Sequence, residues 1–301
     1  MKTQPQPAYA VLLYYKFVKL QDAEQFAHEH LEYCKALGIK GRILIADEGI
    51  NGTLSGTIEQ TEQYIKTMHA IPEFKDMVFK IDEVEEHAFK KLFVRYKQEL
   101  VTFRYDQPLD PNKLSGERLS PEKFHNFIQR DDVIILDGRN DYEYDIGHFR
   151  NAIRPDVESF REFPEWIRDN MQEHKDKPIL TYCTGGIRCE KLSGFLLNEG
   201  FQEVYQLDGG IVTYGKDPVA QGKLFDGKCY VFDERISVPI NQTEHVVVGK
   251  CFHCGTEAEY YRNCVNDLCH LQHIVCDECE QTHHGFCSSE CSEEYSVTSQ
   301  K

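Results

Sequence analysis

No stretch of this chain of 301 residues approaches the ~18 consecutive apolar residues of a membrane-spanning helix. Its opening, MKTQPQPAYA, has no apolar segment followed by a small-residue cleavage site. These absences predict a cytoplasmic protein with no membrane partner. Basic residues are in the minority, with 34 Lys and Arg against 50 Asp and Glu and a formal net charge of −16. Such a chain has no global attraction for nucleic acid, so any contact with RNA needs a local basic patch. Internal repeats are lacking. So are a G-x-G-x-x-G turn after a strand and a two-His-one-carboxylate set suited to iron. The residues therefore identify no cofactor for catalysis.

Cysteine is plentiful and unevenly spread. Cys34, Cys183, Cys189 and Cys229 are scattered, whereas the other eight of the twelve lie between Cys251 and Cys291. Structural disulfides are rare in the cytoplasm, so the cluster calls for another explanation. The length fits two or three domains, and 41% hydrophobic residues suffice for their cores.

Residues 8–82 read as β-α-β-β-α-β. Strand formers fill AYAVLLYYKF. Asp22 is placed to cap a helix with Phe26, Ala27, Leu31, Cys34 and Leu37 on one side, closed by Gly38. RILIA at 42–46 is a strand, EGINGTLSG a Gly-rich turn and short strand. A second helix carries Ile58, Ile65 and Met68, and MVFKID at 77–82 is the fourth strand. This order predicts a ferredoxin-like α+β layer.

Residues 88–104, AFKKLFVRYKQELVTFR, depart from the acidic balance. Lys90, Lys91, Arg95, Lys97 and Arg104 face a single acid, Glu99, and Phe89, Phe93, Tyr96 and Phe103 are interleaved. The stretch reads either as a β-ribbon with a solvated face or as an RNA-contacting strip. In the second reading Lys90, Lys91, Arg95 and Lys97 hold phosphates and the rings stack on bases.

After a linker-like stretch, YDQPLDPNKLSGERL, Ser120 is placed to cap a helix with Pro121 at its first position. Strands and helices then alternate to about residue 225. DVIILD, PILTYC and EVYQLDGG have the form of buried parallel strands, with helices between them including one at 189–199. PILTYC runs straight into Cys183-Thr184-Gly185-Gly186-Ile187-Arg188-Cys189. The sulfur then sits just beyond the carboxyl end of a strand, where open α/β sheets bind their ligands. Backbone N–H groups of the following turn favour a thiolate or an anionic adduct. The glycines let the backbone curl around the sulfur, and Arg188 can add a positive charge. A buried structural cysteine would need none of these neighbours. Cys189, at the helix start, is either a packing residue or a partner able to resolve an adduct as a disulfide.

The tail pairs its cysteines as Cys251-x2-Cys254, Cys264-x4-Cys269, Cys276-x2-Cys279 and Cys287-x3-Cys291. These spacings suit zinc chelation and complete two four-thiolate structural sites, interleaved or sequential. His253, His270, His273, His283 and His284 lie among them as alternative ligands.

Between Cys183 and Arg188 lie four residues, Thr184 to Ile187. Cysteine-dependent phosphatases use a loop one residue longer. The shorter loop resembles that of the rhodanese family, whose cradle fits one sulfur on the cysteine. Asp137-Gly138-Arg139, Glu143 or Tyr144, Gly147-His148, Asn151-Ala152-Ile153 and Asp208-Gly209-Gly210 resemble further rhodanese motifs in order and spacing. By that resemblance His148 is structural.

Nearly the whole chain resembles the bacterial tRNA uridine hydroxylase family. Its most specific parts here are Cys183 to Lys191 and Asp47-Glu48-Gly49-Ile50-Asn51-Gly52-Thr53. The resemblance implies an oxidoreductase that uses molecular oxygen and a reductant to place a hydroxyl on carbon 5 of the tRNA wobble uridine, with Cys183 as a persulfide or thiol intermediate. The alternative is a sulfurtransferase passing persulfide sulfur from Cys183 to a thiol or tRNA. A zinc-and-rhodanese adaptor is a third reading, disfavoured by the Cys183 loop. The expected organisation is a ferredoxin-like domain at 1–105, a linker and entry helix at 106–129, a rhodanese-like α/β domain with a parallel sheet at 130–225, and a small cysteine-rich module at 226–301.

Overall fold

The computed structural model describes residues 8–107 and 109–298. Residues 1–7, which open the MKTQPQPAYA stretch expected to carry no leader, lie outside them. So does Pro108 of the linker-like stretch.

The first domain contains β1 (Tyr9–Phe17), α1 (Ala23–Leu37), β2 (Lys40–Ala46), β3 (Gly49–Thr57), α2 (Ile58–Ala70), β4 (Phe79–Val84) and β5 (Leu92–Tyr96). Its sheet runs β4-β1-β3-β2-β5. The first four strands have the expected ferredoxin-like order, and β5 is added parallel to β2 at the edge. One face of this sheet buries Leu12, Tyr14, Ile43, Ile45, Ile50, Leu54 and Val94 against both helices. Side chains alternate along a strand, so the odd-numbered residues of β1 and β3 and the intervening residues of β2 and β5 belong to the other, helix-free face.

Several local expectations shift. Asp22 takes a left-handed conformation (φ 50°) and makes no side-chain cap to α1. β4 begins at Phe79 because Met77 is buried in the core and closes a turn on Phe74. Residues 88–104 form no ribbon. Only β5 is extended, Tyr96 packs on the helix side, and Phe103 is buried against Phe160 and Phe195 of the next domain.

The second domain contains β6 (Glu117–Leu119), α3 (Pro121–Phe127), β7 (Ile134–Asp137), α4 (Asp141–Ile146), β8 (Gly147–Phe149), α5 (Phe163–Asn170), β9 (Ile179–Tyr182), α6 (Ile187–Asn198), β10 (Val204–Leu207) and α7 (Gly210–Lys216). Its parallel sheet runs β6-β10-β9-β7. Phe124, Ile211 and Tyr214 cover one face, and Phe163, Ile167, Leu192 and Phe195 the other. Ser120 caps α3 as expected. The linker-like stretch supplies an edge strand and packs down, with the Gly116 N–H donating to Ser193 Oγ at 2.8 Å. α6 starts at Ile187, two residues earlier than read from the sequence, which puts Arg188 in its first turn.

The tail opens with β11 (Phe225–Tyr230), paired to β8 and to β12 (Ser237–Pro239). A hairpin of β13 (Tyr261–Asn263) and β14 (Gln272–Ile274) and the helices α8 (Asp277–Thr282) and α9 (Ser289–Thr298) follow. The tail has a small apolar cluster, Ala258, Tyr261, Ile274 and Val275, completed by Ile146 of the second domain. No helix among the described residues is long and apolar enough to cross a membrane.

Candidate active site

β9 is one of the two inner strands of a four-stranded sheet, so its apolar residues are buried on both faces and its carboxyl end delivers Cys183 into the interior. The Gly186 N–H donates to the sulfur at 3.1 Å. Gly186 has φ 102°, a conformation that L side chains rarely adopt, and this turns the chain sharply into α6. A Cβ on Gly185 would come within 2.9 Å of Leu13 Cδ2, and one on Gly186 within 3.0 Å of Tyr15 Oη. The two glycines therefore also let the first domain's sheet close over the loop.

Burial opposes ionisation of Cys183. The Cys189 thiol, the charge of Arg188 and the backbone N–H groups of Cys189 and Gly186 outweigh it and bring the thiol well below its ordinary range. Cys189 moves the opposite way, raised by burial and by the neighbouring sulfur, so it stays protonated and donates to Cys183. Arg188 contributes charge rather than donors. Its guanidinium is bidentate on the buried Glu143, at 2.5 and 2.7 Å. Thr184 points its hydroxyl to the same carboxylate. His148 stacks flat on Tyr144 and hydrogen-bonds its carbonyl oxygen, away from the sulfur chemistry.

Other residues of the site had no role assigned from sequence. Lys80, from β4, donates to the Gly185 carbonyl at 2.8 Å. Lys191, almost wholly buried, donates to Glu48 at 2.9 Å and Glu99 at 3.0 Å. Tyr15 donates to Glu190 at 2.9 Å. These contacts bind the first domain to the Cys183 loop and the start of α6. A charged Glu190-Lys191 pair in an otherwise buried helix was the available signal, but its first-domain partners Tyr15, Glu48 and Glu99 lie over 90 residues away in sequence.

Between sheet and loop lies a cavity of about 250 Å³, with Cys183 and Ile187 on one wall and Tyr15, Arg42, Asn51 and Thr53 on the other. The sheet register explains that second wall. One row across the helix-free face reads Lys80, Leu13, Thr53, Arg42, Phe93, and the next reads Tyr15, Asn51, Leu44, Arg95. Both rows start at the Cys183 loop and end at the edge strand. There Phe93 is 42% exposed and the Arg95 guanidinium lies 5.2 Å from its ring centroid. Lys91, Arg95 and Lys97 share this exposed face, whereas Lys90 pairs with Glu234 of the tail at 2.8 Å.

In the tail the four cysteine pairs interleave. Cys251, Cys254, Cys276 and Cys279 form one cluster and Cys264, Cys269, Cys287 and Cys291 the other, with the sulfurs of each within 4.8 Å of one another. Sulfur separations of 3.7 Å (Cys254–Cys276), 3.6 Å (Cys269–Cys287) and 3.5 Å (Cys287–Cys291) are far too long for disulfides. They fit the edge of about 3.8 Å that a tetrahedron of Zn–S bonds of ~2.3 Å requires. None of the neighbouring histidines belongs to either cluster.

A low-range thiol at the carboxyl end of a buried parallel strand, in a short Gly-Gly-x-Arg loop, defines a rhodanese-type thiol site, here roofed by a ferredoxin-like sheet. Residues 120–217 match the rhodanese-like domain family, residues 9–100 the UPF0176 acylphosphatase-like domain, and residues 226–292 the rhodanase C-terminal family. The chain belongs to the tRNA uridine(34) hydroxylase family. It is 60% identical to the protein of that name from Bacillus licheniformis over 94% of this chain and 88% of the relative. Identity is 56% to those of Bacillus velezensis (94% and 88%) and Bacillus mycoides (94% and 89%).

Proposed function

We propose that this chain is a tRNA-modifying oxidoreductase that hydroxylates carbon 5 of the wobble uridine, with Cys183 as the reacting sulfur. The observation that carries the reading is the cavity, which has an ionisable thiol on one wall and a sheet face leading to an exposed basic and aromatic edge on the other. Enzymes acting on a base take it out of its stack into a closed pocket. The base would enter between Ile187 and the sheet while Lys91, Arg95 and Lys97 hold phosphates and Phe93 offers a stacking surface. Thr184, Gly185, Gly186 and Ile187 shape the cradle, and Arg188 supplies its positive charge. In the net reaction one atom of molecular oxygen becomes the new hydroxyl. The other leaves as water, with two electrons and two protons drawn from a reductant.

The tail in this reading holds two structural zinc ions, one per cluster, and closed four-thiolate sites of this kind supply folding free energy rather than chemistry. Nucleoside mass analysis of tRNA from cells lacking the protein tests the assignment. Loss of 5-hydroxyuridine, restored by the wild-type chain but not by Cys183→Ser, is the expected result. Loss of a thiolated base instead would make the protein a sulfurtransferase, and unchanged tRNA would overturn both.

A further inference from the structure

The cavity wall opposite Cys183 carries polar side chains with nothing to bind. Arg42 and Asn51 line it, and neither side chain has a hydrogen-bond or ion-pair partner among the described residues. Thr53 between them in register has no side-chain partner among the described residues either, whereas three other polar groups of the cavity are engaged. Tyr15 donates to Glu190, and Arg188 is held by Glu143, as is the Thr184 hydroxyl. Arg42 pairs in register with Thr53 and Leu44 with Asn51, so Arg42 and Asn51 are diagonal neighbours on one sheet face. At that spacing the long arginine can lean toward the shorter Asn51 so that both reach a common ligand.

We infer that Arg42 and Asn51 read the hydrogen-bonding edge of the base in the cavity, admitting uracil and rejecting cytosine. The inference rests on the function proposed above and adds the residues that set base choice.

The two bases differ in their donors and acceptors. Uracil presents the acceptor O4 beside the donor N3–H. Cytosine presents an amino donor beside the acceptor N3. An asparagine carboxamide can turn to match either edge, whereas arginine has only donors. Arg42 therefore fixes the polarity. It donates to O4, and Asn51 then turns its Oδ1 to accept from N3–H. Arg42 is exposed and Asn51 half-buried, and cytosine would set its amino group against the guanidinium, donor to donor, so that the contact made to uracil is lost. With that edge on the sheet, the carbon 5 side of the ring is free to face the wall that carries Cys183.

The test uses the purified full chain and two anticodon stem-loop RNAs differing only in uridine or cytidine at the wobble position, with binding followed by fluorescence anisotropy. Wild-type protein should prefer the uridine RNA by roughly 10-fold or more, the discrimination of a good paired contact. Arg42→Gln can offer an acceptor to the amino group and should bring the ratio to about one. Arg42→Glu should invert it, even while weakening RNA binding as a whole. Asn51→Leu should weaken the uridine RNA and leave the cytidine RNA unchanged. Neither native side chain has an internal partner, so unfolding midpoints should stay at wild type.

If Arg42→Gln weakens both RNAs by one factor, Arg42 holds a phosphate and the inference fails. It fails for Asn51 if Asn51→Leu leaves uridine binding intact. A wild-type protein that binds both RNAs equally yet hydroxylates uridine in cells overturns base reading alone. One that binds both equally and leaves uridine unmodified overturns the proposed function as well.

Discussion

Arg188 directs its guanidinium to both carboxylate oxygens of Glu143, at 2.5 and 2.7 Å, and no hydrogen bond joins it to Cys183, which its charge nevertheless favours as a thiolate. Arg188→Ala therefore does two things. It strands a fully buried Glu143, at a cost of about 3–5 kcal/mol, and it leaves a negative charge beside the sulfur. The thiol should titrate higher, read as an upward shift of the pH midpoint of alkylation. Pairing Arg188→Met with Glu143→Gln removes both charges, so stability and midpoint should both return toward wild type. A double variant as unstable as Arg188→Ala would show that the ion pair is not what Arg188 maintains.

Cys183→Ser should abolish tRNA modification and leave the fold intact, because a hydroxyl is a far poorer nucleophile at neutral pH. The wild-type thiol should alkylate with a midpoint below the value of roughly 8.5 for a free cysteine. The sign for stability follows. A thiol depressed on folding stabilises the native state above its unfolded pKa, and that contribution is lost as pH falls through the folded value. The stability advantage of wild type over Cys183→Ser should therefore grow as pH rises through neutrality. An advantage that shrinks with rising pH would mean Cys183 is not held as a thiolate.

For the edge strand, replacing Lys91, Arg95 and Lys97 together by Ala should weaken tRNA binding and flatten its salt dependence by up to about three phosphate contacts. Lys90→Ala should do less, because Lys90 is already paired with Glu234. Equal salt slopes for the triple variant and wild type would reduce the strip to a solvated edge.

Elemental analysis of protein purified without chelator should return close to two zinc per chain. A strong chelator should loosen residues 250–292 and spare the two preceding domains, as hydrogen exchange would show. The interleaving makes a sharper forecast. Cys251→Ser should expose Cys276 and Cys279 to thiol reagents and leave Cys264, Cys269, Cys287 and Cys291 protected. Exposure of Cys264 and Cys269 in their place would mean sequential pairing.

Periodicity and short-range chemistry were enough for much of this protein. The two helices of the first domain bury one stripe each, the apolar run into Cys183 is a strand buried on both sides, and the Gly-Gly-x-Arg turn cradles a sulfur because its own backbone amides are adjacent in sequence. The chelating cysteine pairs, too, are local. What needed the tertiary structure was every partner distant along the chain. Which cysteine pairs meet, that Arg188 serves Glu143, that Phe103 leaves the basic strip for the second core, and that Lys80, Lys191 and Tyr15 close one domain over the other's loop are set by packing between elements up to 175 residues apart. The cavity is the clearest case. Arg42 sits on an ordinary-looking strand and Asn51 in a Gly-rich stretch whose sequence says nothing of where it faces, and only the sheet face left free of helices, laid against the Cys183 loop, brings both to the cavity.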